Sequence, residues 1–342
     1  MVRIIEFKDK YKLESALQSS SINLLIGSGA SAEAIKPLGN IEKEINDFIQ
    51  KGQQSEATTK KLEFIESVRI PTNQLISDEF VEKNNKVIGY YSTLLQNLTR
   101  MLIRRKTQLL PTQATIFTTN YDLFIEKAAE NQQEMRLNDG FSRIPSLRNR
   151  FEFSPQNFFE TTYSSGNLYD YKVEIPSINL IKLHGSFSWK RDDEVILYQV
   201  KTTDELHSEP TKEDIENYIK QFAIVLPQQD KFQETVLDRT YYDLLRIYSN
   251  QLDRKNALLI VFGFSFADEH ICDITRRALK NPTLKMIIFS YTADDADKFD
   301  EKFKGFSNVE IVKPPRDSWL GFEKFNSTLA FANPVKEDVD VR

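Results

Sequence analysis

The sequence predicts an α/β fold, a Rossmann-like doubly wound, mainly parallel sheet carrying a helical insertion, and three observations predict it. Short β-branched or aliphatic runs alternate with longer helical patterns along the 342 residues. Most of those runs lack polar alternation, as strands buried on both faces do. Several stop at a glycine or a group of small polar residues, as strands do where ligands sit at the carboxyl edge of an open sheet.

Strands are expected at Ile22–Ile26, Thr115–Thr118, Ile178–Leu183, Ala223–Leu226, Leu258–Phe262, Lys285–Phe289 and Val309–Val312. Almost ninety residues separate the first from the second. That is far more than one crossover helix needs, so a helical insertion is expected over about 41–110. Within it Val87, Tyr91, Leu94, Leu95, Leu98 and Met101 recur at three- and four-residue spacing, one apolar face of a helix. Gly52–Thr59 and Arg69–Asn73, with their Gly, Ser, Pro and Asn, read as loops. Gly140–Tyr171 is rich in Phe, Ser, Asn and Arg without a period and reads as an ordered loop beside the site, within a second insertion of about 140–175. Thr235–Leu252 reads as a helix. The expected organisation is one domain over 1–332 and a polar tail over 333–342.

Composition removes several function classes. The net charge of −5, with both signs abundant, provides no global basic field for nucleic acid. Arg100, Arg104, Arg105 and Lys106 close a helical pattern where cations complement the helix dipole, and they read as a solvated face. The one cysteine, Cys272, excludes a disulfide framework and a multi-cysteine zinc site within the chain. No run of 18 apolar residues is present, and charges interrupt the first residues where a signal peptide would be apolar, so the expected location is the cytoplasm, with no membrane partner.

Four strand ends carry the chemistry. Ile22–Ser31 runs an apolar strand into Gly27-Ser28-Gly29-Ala30-Ser31. Two residues without a Cβ allow positive φ and leave N–H groups uncovered, while Ser31 caps a following helix whose dipole favours anions; such a turn holds a phosphate. Ala114–Asp122 presents Thr118, Thr119, Asn120 and Asp122 at a strand's end. Asn120 both donates and accepts, as a grip on sugar hydroxyls or a carboxamide requires. Equally, Asn120 and Asp122 fit as caps of a helix over Leu123–Glu130. Leu180–Ser186 places His184, one of three histidines with His207 and His270, where an imidazole exchanges protons near neutral pH. Ala257–His270 repeats the pattern: Gly263 permits close backbone approach, Ser265 offers a hydroxyl, and Asp268 or Glu269 begins a helix. His270 reads as a packing or surface residue.

In this order the four segments resemble the sirtuin-like family, and more closely its zinc-free bacterial branch of antiphage-defence proteins. Gly27–Ser31 is similar to the family's Gly-Ala-Gly-x-Ser phosphate loop, Thr118–Asp122 to its Thr-Gln-Asn-x-Asp segment, Leu183-His184-Gly185 to its catalytic His-Gly, and Gly263-Phe264-Ser265 to its Gly-x-Ser. The resemblance implies NAD as substrate. It puts the pyrophosphate on Gly27, Ser28, Gly29, Ala30 and Ser31, includes Thr118 in the binding set, and puts adenosine against Gly263, Ser265 and Ser290. Asn120 would orient ribose and water, Asp122 would hold the nicotinamide carboxamide, and His184 would act as general base. No metal or zinc is implied. Deacylases of the family carry a four-cysteine zinc module and a glutamine where Thr119 stands, so these departures argue against deacylation and leave cleavage of the nicotinamide–ribose bond. The implied activity is an NAD glycohydrolase that depletes NAD in defence. The implied partners are further copies in a homo-oligomer and a separately encoded HerA-type ATPase. Two rivals stand beside it: an ADP-ribosyltransferase or deacylase, and a non-catalytic ring subunit that binds NAD or ADP-ribose.

Overall fold

In a computed structural model of the protein, the structure describes residues 2–5, 16–36, 41–105, 110–143, 150–165, 172–192, 195–206, 210–220, 222–225 and 239–331. The strands are β1 (Arg3–Ile5), β2 (Ser21–Ile26), β3 (Gln113–Thr118), β4 (Arg136–Asn138), β5 (Tyr163–Ser165), β6 (Lys172–Glu174), β7 (Ser177–Lys182), β8 (Trp189–Asp192), β9 (Val195–Tyr198), β10 (Ala257–Phe262), β11 (Lys285–Phe289) and β12 (Val309–Val312). Eight of them form one sheet in the order β1-β12-β11-β10-β2-β3-β7-β4, and every neighbouring pair is parallel. The α/β, Rossmann-like architecture expected from the sequence is the one observed.

Successive residues of a strand point to opposite faces, so a strand covered on both must be apolar throughout. Leu24, Ile116, Leu180 and Ile260 lie in one core cluster, and their chain neighbours Leu25, Phe117, Ile181 and Val261 lie in another on the opposite face. This is why the central strands lack polar alternation.

The insertion between β2 and β3 holds helices Ile41–Gln50, Gln54–Ile76 and Glu82–Ile103. The expected stripe from Val87 to Met101 is buried against the sheet. The two loops expected there are mostly helix. Gln54–Ile76 runs through both, with Pro71 inside it. Tertiary contacts override the local breakers: Phe64, Ile65, Val68 and Leu75 are buried, and Arg69 is clamped by Glu66 and the Thr203 carbonyl oxygen.

Other expectations need correction. Ala223–Val225 is not a strand of the sheet; Ile224 makes one isolated bridge to Gly185, and the Val225 N–H donates to the His184 carbonyl oxygen at 2.8 Å. The segment is apolar because it covers the His184 loop, and Leu226 lies outside the described residues. The loop expected over Gly140–Tyr171 contains a 3-10 turn, Pro155–Phe159, and β5, which pairs with β6 in an antiparallel hairpin. Strands β1 and β4, three residues each at the sheet edges, are too short to show periodicity. The helix expected over Thr235–Leu252 is seen as Arg239–Asp253, its first residues lying outside the description. Arg100 and Arg104 are exposed as expected, but Arg105 donates to the carbonyl oxygens of Pro111 and Ser20, tying a helix end to the start of β2. Lys106, His207 and the tail 333–342 lie outside the described residues. Among the described residues no helix is long and apolar enough to cross a membrane.

Candidate active site

Because β10, β2, β3 and β7 are parallel neighbours, the four polar segments that follow them meet along one edge of the sheet. Sequence order scatters them, and strand order gathers them.

The glycine turn works differently from the sequence expectation. Neither Gly27 nor Gly29 takes positive φ. Their N–H groups are not uncovered: Gly27 donates to Phe262 O at 3.1 Å and Gly29 to Gly263 O at 2.9 Å. A Cβ on Gly27 would stand 2.4 Å from Gly263 O, and one on Gly29 would stand 2.9 Å from Gly263 Cα. Gly263 itself has φ +65°, and a Cβ there would meet Ala30 N at 2.5 Å. The three glycines are therefore required by the close approach of two strand ends. Ser28–Ser31 is a single 3-10 turn, and Ser31 turns its hydroxyl inward instead of capping a long helix. Ser28 and Gly29 are the exposed residues of the turn, while Ala30 is buried. Gly263→Ala combines a left-handed backbone with a backbone clash and is expected to destabilise by on the order of 3 kcal/mol, read from the urea midpoint at constant slope.

Asn120 stands two residues beyond the end of β3 and is 6% exposed. Its backbone N–H donates to Thr118 Oγ1 at 3.0 Å, which gives the fully buried Thr118 a supporting role. Its Nδ2 donates to Gly27 O at 3.2 Å and Ser31 Oγ at 3.3 Å. Its Oδ1 is buried with no hydrogen-bond partner. An unpaired buried acceptor costs free energy, so this atom is suited to take a hydroxyl or amide donor from a ligand. Behind it, Ser31 Oγ lies 3.2 Å from Tyr91 Oη, so the helical insertion supplies the floor of the site.

Asp122 lies just before the helix expected after β3, whose N-cap is Leu123. Its Oδ1 accepts from the N–H of Phe124, the first residue of the helix Phe124–Ala129, at 3.3 Å, and its side chain is buried beside Ser31. Burial pushes its carboxyl above the usual carboxylate range, while the nearby Lys182 ammonium pulls it back. Lys182 is 3% exposed; its Nζ donates to the Asp122 carbonyl oxygen and pairs with Glu126 Oε1 at 2.8 Å. Glu126 is likewise raised by burial, and its Oε2 lacks a partner.

His184 follows β7 on the adjacent strand end, held there by the Leu183 N–H donating to Thr118 O at 2.8 Å. Gly185 takes φ +86°, and a Cβ there would lie 2.2 Å from Ala223 O. His184 Nε2 lies 3.1 Å from Asp268 Oδ2, with both side chains about nine-tenths buried. Asp268 is also the N-cap of the helix Glu269–Ala278, its Oδ1 accepting from the Ile271 N–H at 3.1 Å.

The remaining expected residues divide. Ser265 is exposed near the Gly27–Ser31 turn, and its Oγ accepts from the Ala267 N–H. Ser290 is fully buried, and its N–H and hydroxyl both go to Val312 O, so it joins β11 to β12 and does not present its hydroxyl to a ligand. His270 is half-buried in the first turn of the helix Glu269–Ala278. Among the described residues no group of three or more His, Cys, Asp or Glu is arranged to hold a metal ion. Four site neighbours lie outside the expected site set: Tyr91, which reads as a residue of the helical stripe, Asp268, which reads as a helix start, Glu126 and Lys182. Lys182 leaves a further signal, a lone charge in an otherwise apolar strand end.

The family model of the SIR2-like domain matches residues 114–311, more than half of the 342-residue chain. The chain belongs to the SIR2-like family. Membership implies an NAD-dependent activity. The matched segment contains Asn120, Asp122, His184, Gly263 and Asp268, whereas Gly27–Ser31 precedes it and joins the site through the place of β2 between β3 and β10. No curated protein matches the chain.

Proposed function

We propose that this SIR2-like domain cleaves the nicotinamide–ribose bond of NAD with water, releasing nicotinamide and ADP-ribose, and that it serves antiphage defence by depleting NAD. The observation that carries the chemistry is the pairing of Asn120, with its unpartnered buried Oδ1, and the carboxylate-paired His184 on adjacent strand ends. The transition state for loss of nicotinamide is oxocarbenium-like at C1′, stabilised by groups that orient ribose hydroxyls and water and place negative charge nearby. Asn120 orients the ribose and the water. His184 takes the water proton, and Asp122 receives the nicotinamide carboxamide, with Lys182 and Glu126 beneath it. The pyrophosphate runs past the exposed Ser28 and Gly29, and the adenosine lies toward Gly263 and Ser265. Ser290, spent on Val312, is left out of the binding set.

The defence role, a homo-oligomeric state and a HerA-type ATPase partner rest on the family resemblance. Incubating the protein with NAD labelled in its ADP-ribose half tests the reaction: free labelled ADP-ribose and an equal amount of nicotinamide are expected. Label transferred to protein or to an acyl acceptor would replace hydrolysis by a transferase or deacylase, and tight binding without turnover would favour the non-catalytic ring subunit.

A further inference from the structure

We infer that Asp268 is a positioning residue for His184, fixing the imidazole as its Nε2–H tautomer so that Nδ1 is the atom that accepts the proton. The inference rests on the hydrolytic reading of the site for its catalytic consequence, while the tautomer itself does not.

Two contacts to the two oxygens of one carboxylate carry it. Asp268 Oδ2 lies 3.1 Å from His184 Nε2, and Asp268 Oδ1 accepts the Ile271 N–H at 3.1 Å. A carboxylate only accepts, so a neutral imidazole facing it must carry its hydrogen on Nε2. The helix cap fixes the rotation of the carboxylate, and the left-handed Gly185 with the Val225 N–H on the His184 carbonyl oxygen fixes the histidine backbone. With Nε2 committed, Nδ1 is the remaining basic atom. As water adds its oxygen to C1′, its proton passes to Nδ1. The electron pair of the C1′–N bond leaves with nicotinamide, neutralising the pyridinium charge. Asp268 stabilises the imidazolium so formed, the role a buried carboxylate plays behind a histidine base.

Asp268 also caps a helix, so the test must separate the two roles. Asn is as good an N-cap as Asp. In Asp268→Asn the side-chain oxygen stays on the Ile271 N–H, which turns the amide NH₂ toward Nε2. The amide donates there, and the imidazole inverts to the Nδ1–H tautomer. Expected for Asp268→Asn are a melting temperature within about 3 °C of wild type, a KM for NAD within about threefold, and a kcat lower by at least a hundredfold. Long-range proton–nitrogen NMR of the imidazoles, with His184 assigned through His184→Gln, should show Nε2–H in the wild type and Nδ1–H in the variant. Asp268→Ser keeps a cap without reaching the histidine, and should lose kcat while staying folded.

A wild-type His184 protonated on Nδ1 when neutral would overturn the inference, as would an Asp268→Asn variant with unchanged tautomer and kcat within twofold. If the wild type cleaves no NAD, the hydrolytic reading fails and the NMR pair alone decides: inversion of the tautomer still supports the positioning, and its absence overturns it.

Discussion

Asn120→Ala and His184→Ala are each expected to abolish nicotinamide release in a protein that still folds. The reasons differ. Removing His184 takes away the base, worth about 10²- to 10⁴-fold in rate. It leaves Asp268 without its histidine contact, but the Ile271 N–H still binds that carboxylate, so the helix start survives. Removing Asn120 deletes two donated hydrogen bonds, to Gly27 O and Ser31 Oγ, each worth about 1 kcal/mol net. The unpartnered Oδ1 goes with it and leaves no structural partner behind, so the loss of stability is small beside the loss of ribose orientation. Chromatographic measurement of nicotinamide with circular dichroism on the same samples checks both halves. Wild-type-like turnover in either variant would remove that residue from the mechanism.

Lys182→Met is expected to give the largest loss of stability, and one that depends on pH. Lys182 is a buried cation paired with the Glu126 carboxyl and acting through space on the buried Asp122 carboxyl, and removing one partner of such a group typically costs about 3–5 kcal/mol. Burial already raises Asp122 and Glu126 above their unfolded values, against the pull of Lys182. A carboxyl raised on folding binds more protons in the native state than in the unfolded chain. Its favourable contribution is complete below the unfolded pKa of about 4 and is lost as the pH rises through the folded value. Without Lys182 the folded values climb further, so that loss grows and extends to higher pH. Urea midpoints of variant and wild type should therefore lie closest near pH 4.5 and furthest apart near pH 8, with Glu126→Gln restoring part of the difference. A gap constant across that range would mean that Lys182 acts through packing alone.

Each segment that departs from its local pattern is held by residues outside any local window. Residues 69–73, with a proline and an asparagine, have the composition of a loop, yet they lie inside a helix because Arg69 and its apolar neighbours are held by residues distant in sequence. Ala223–Val225 has the composition of a buried strand, and it is buried by the histidine loop instead of by the sheet. In the first turn, glycine spacing pointed to a ligand-facing loop with free N–H groups; those groups are taken by Phe262 and Gly263, whose nearness follows from the pairing of β2 with β10. Asp268 was legible as a helix start and is one, but its second contact belongs to a different strand end.

By itself the sequence determined the features that repeat over short distances: seven apolar runs, six of them sheet strands, the helical stripe from Val87 to Met101, and the polar residues at strand ends, in an order sufficient to place the chain in its family. Burial on both faces imposes an apolar run wherever a central strand occurs, whatever lies beside it. Only the tertiary structure decided that Asp268 meets His184, that Tyr91 reaches Ser31 behind Asn120, that Lys182 pairs with Glu126, and that three glycines interlock. Such pairings follow from which strands are neighbours, and hydrogen bonds of about 3 Å demand a placement that no periodic pattern specifies.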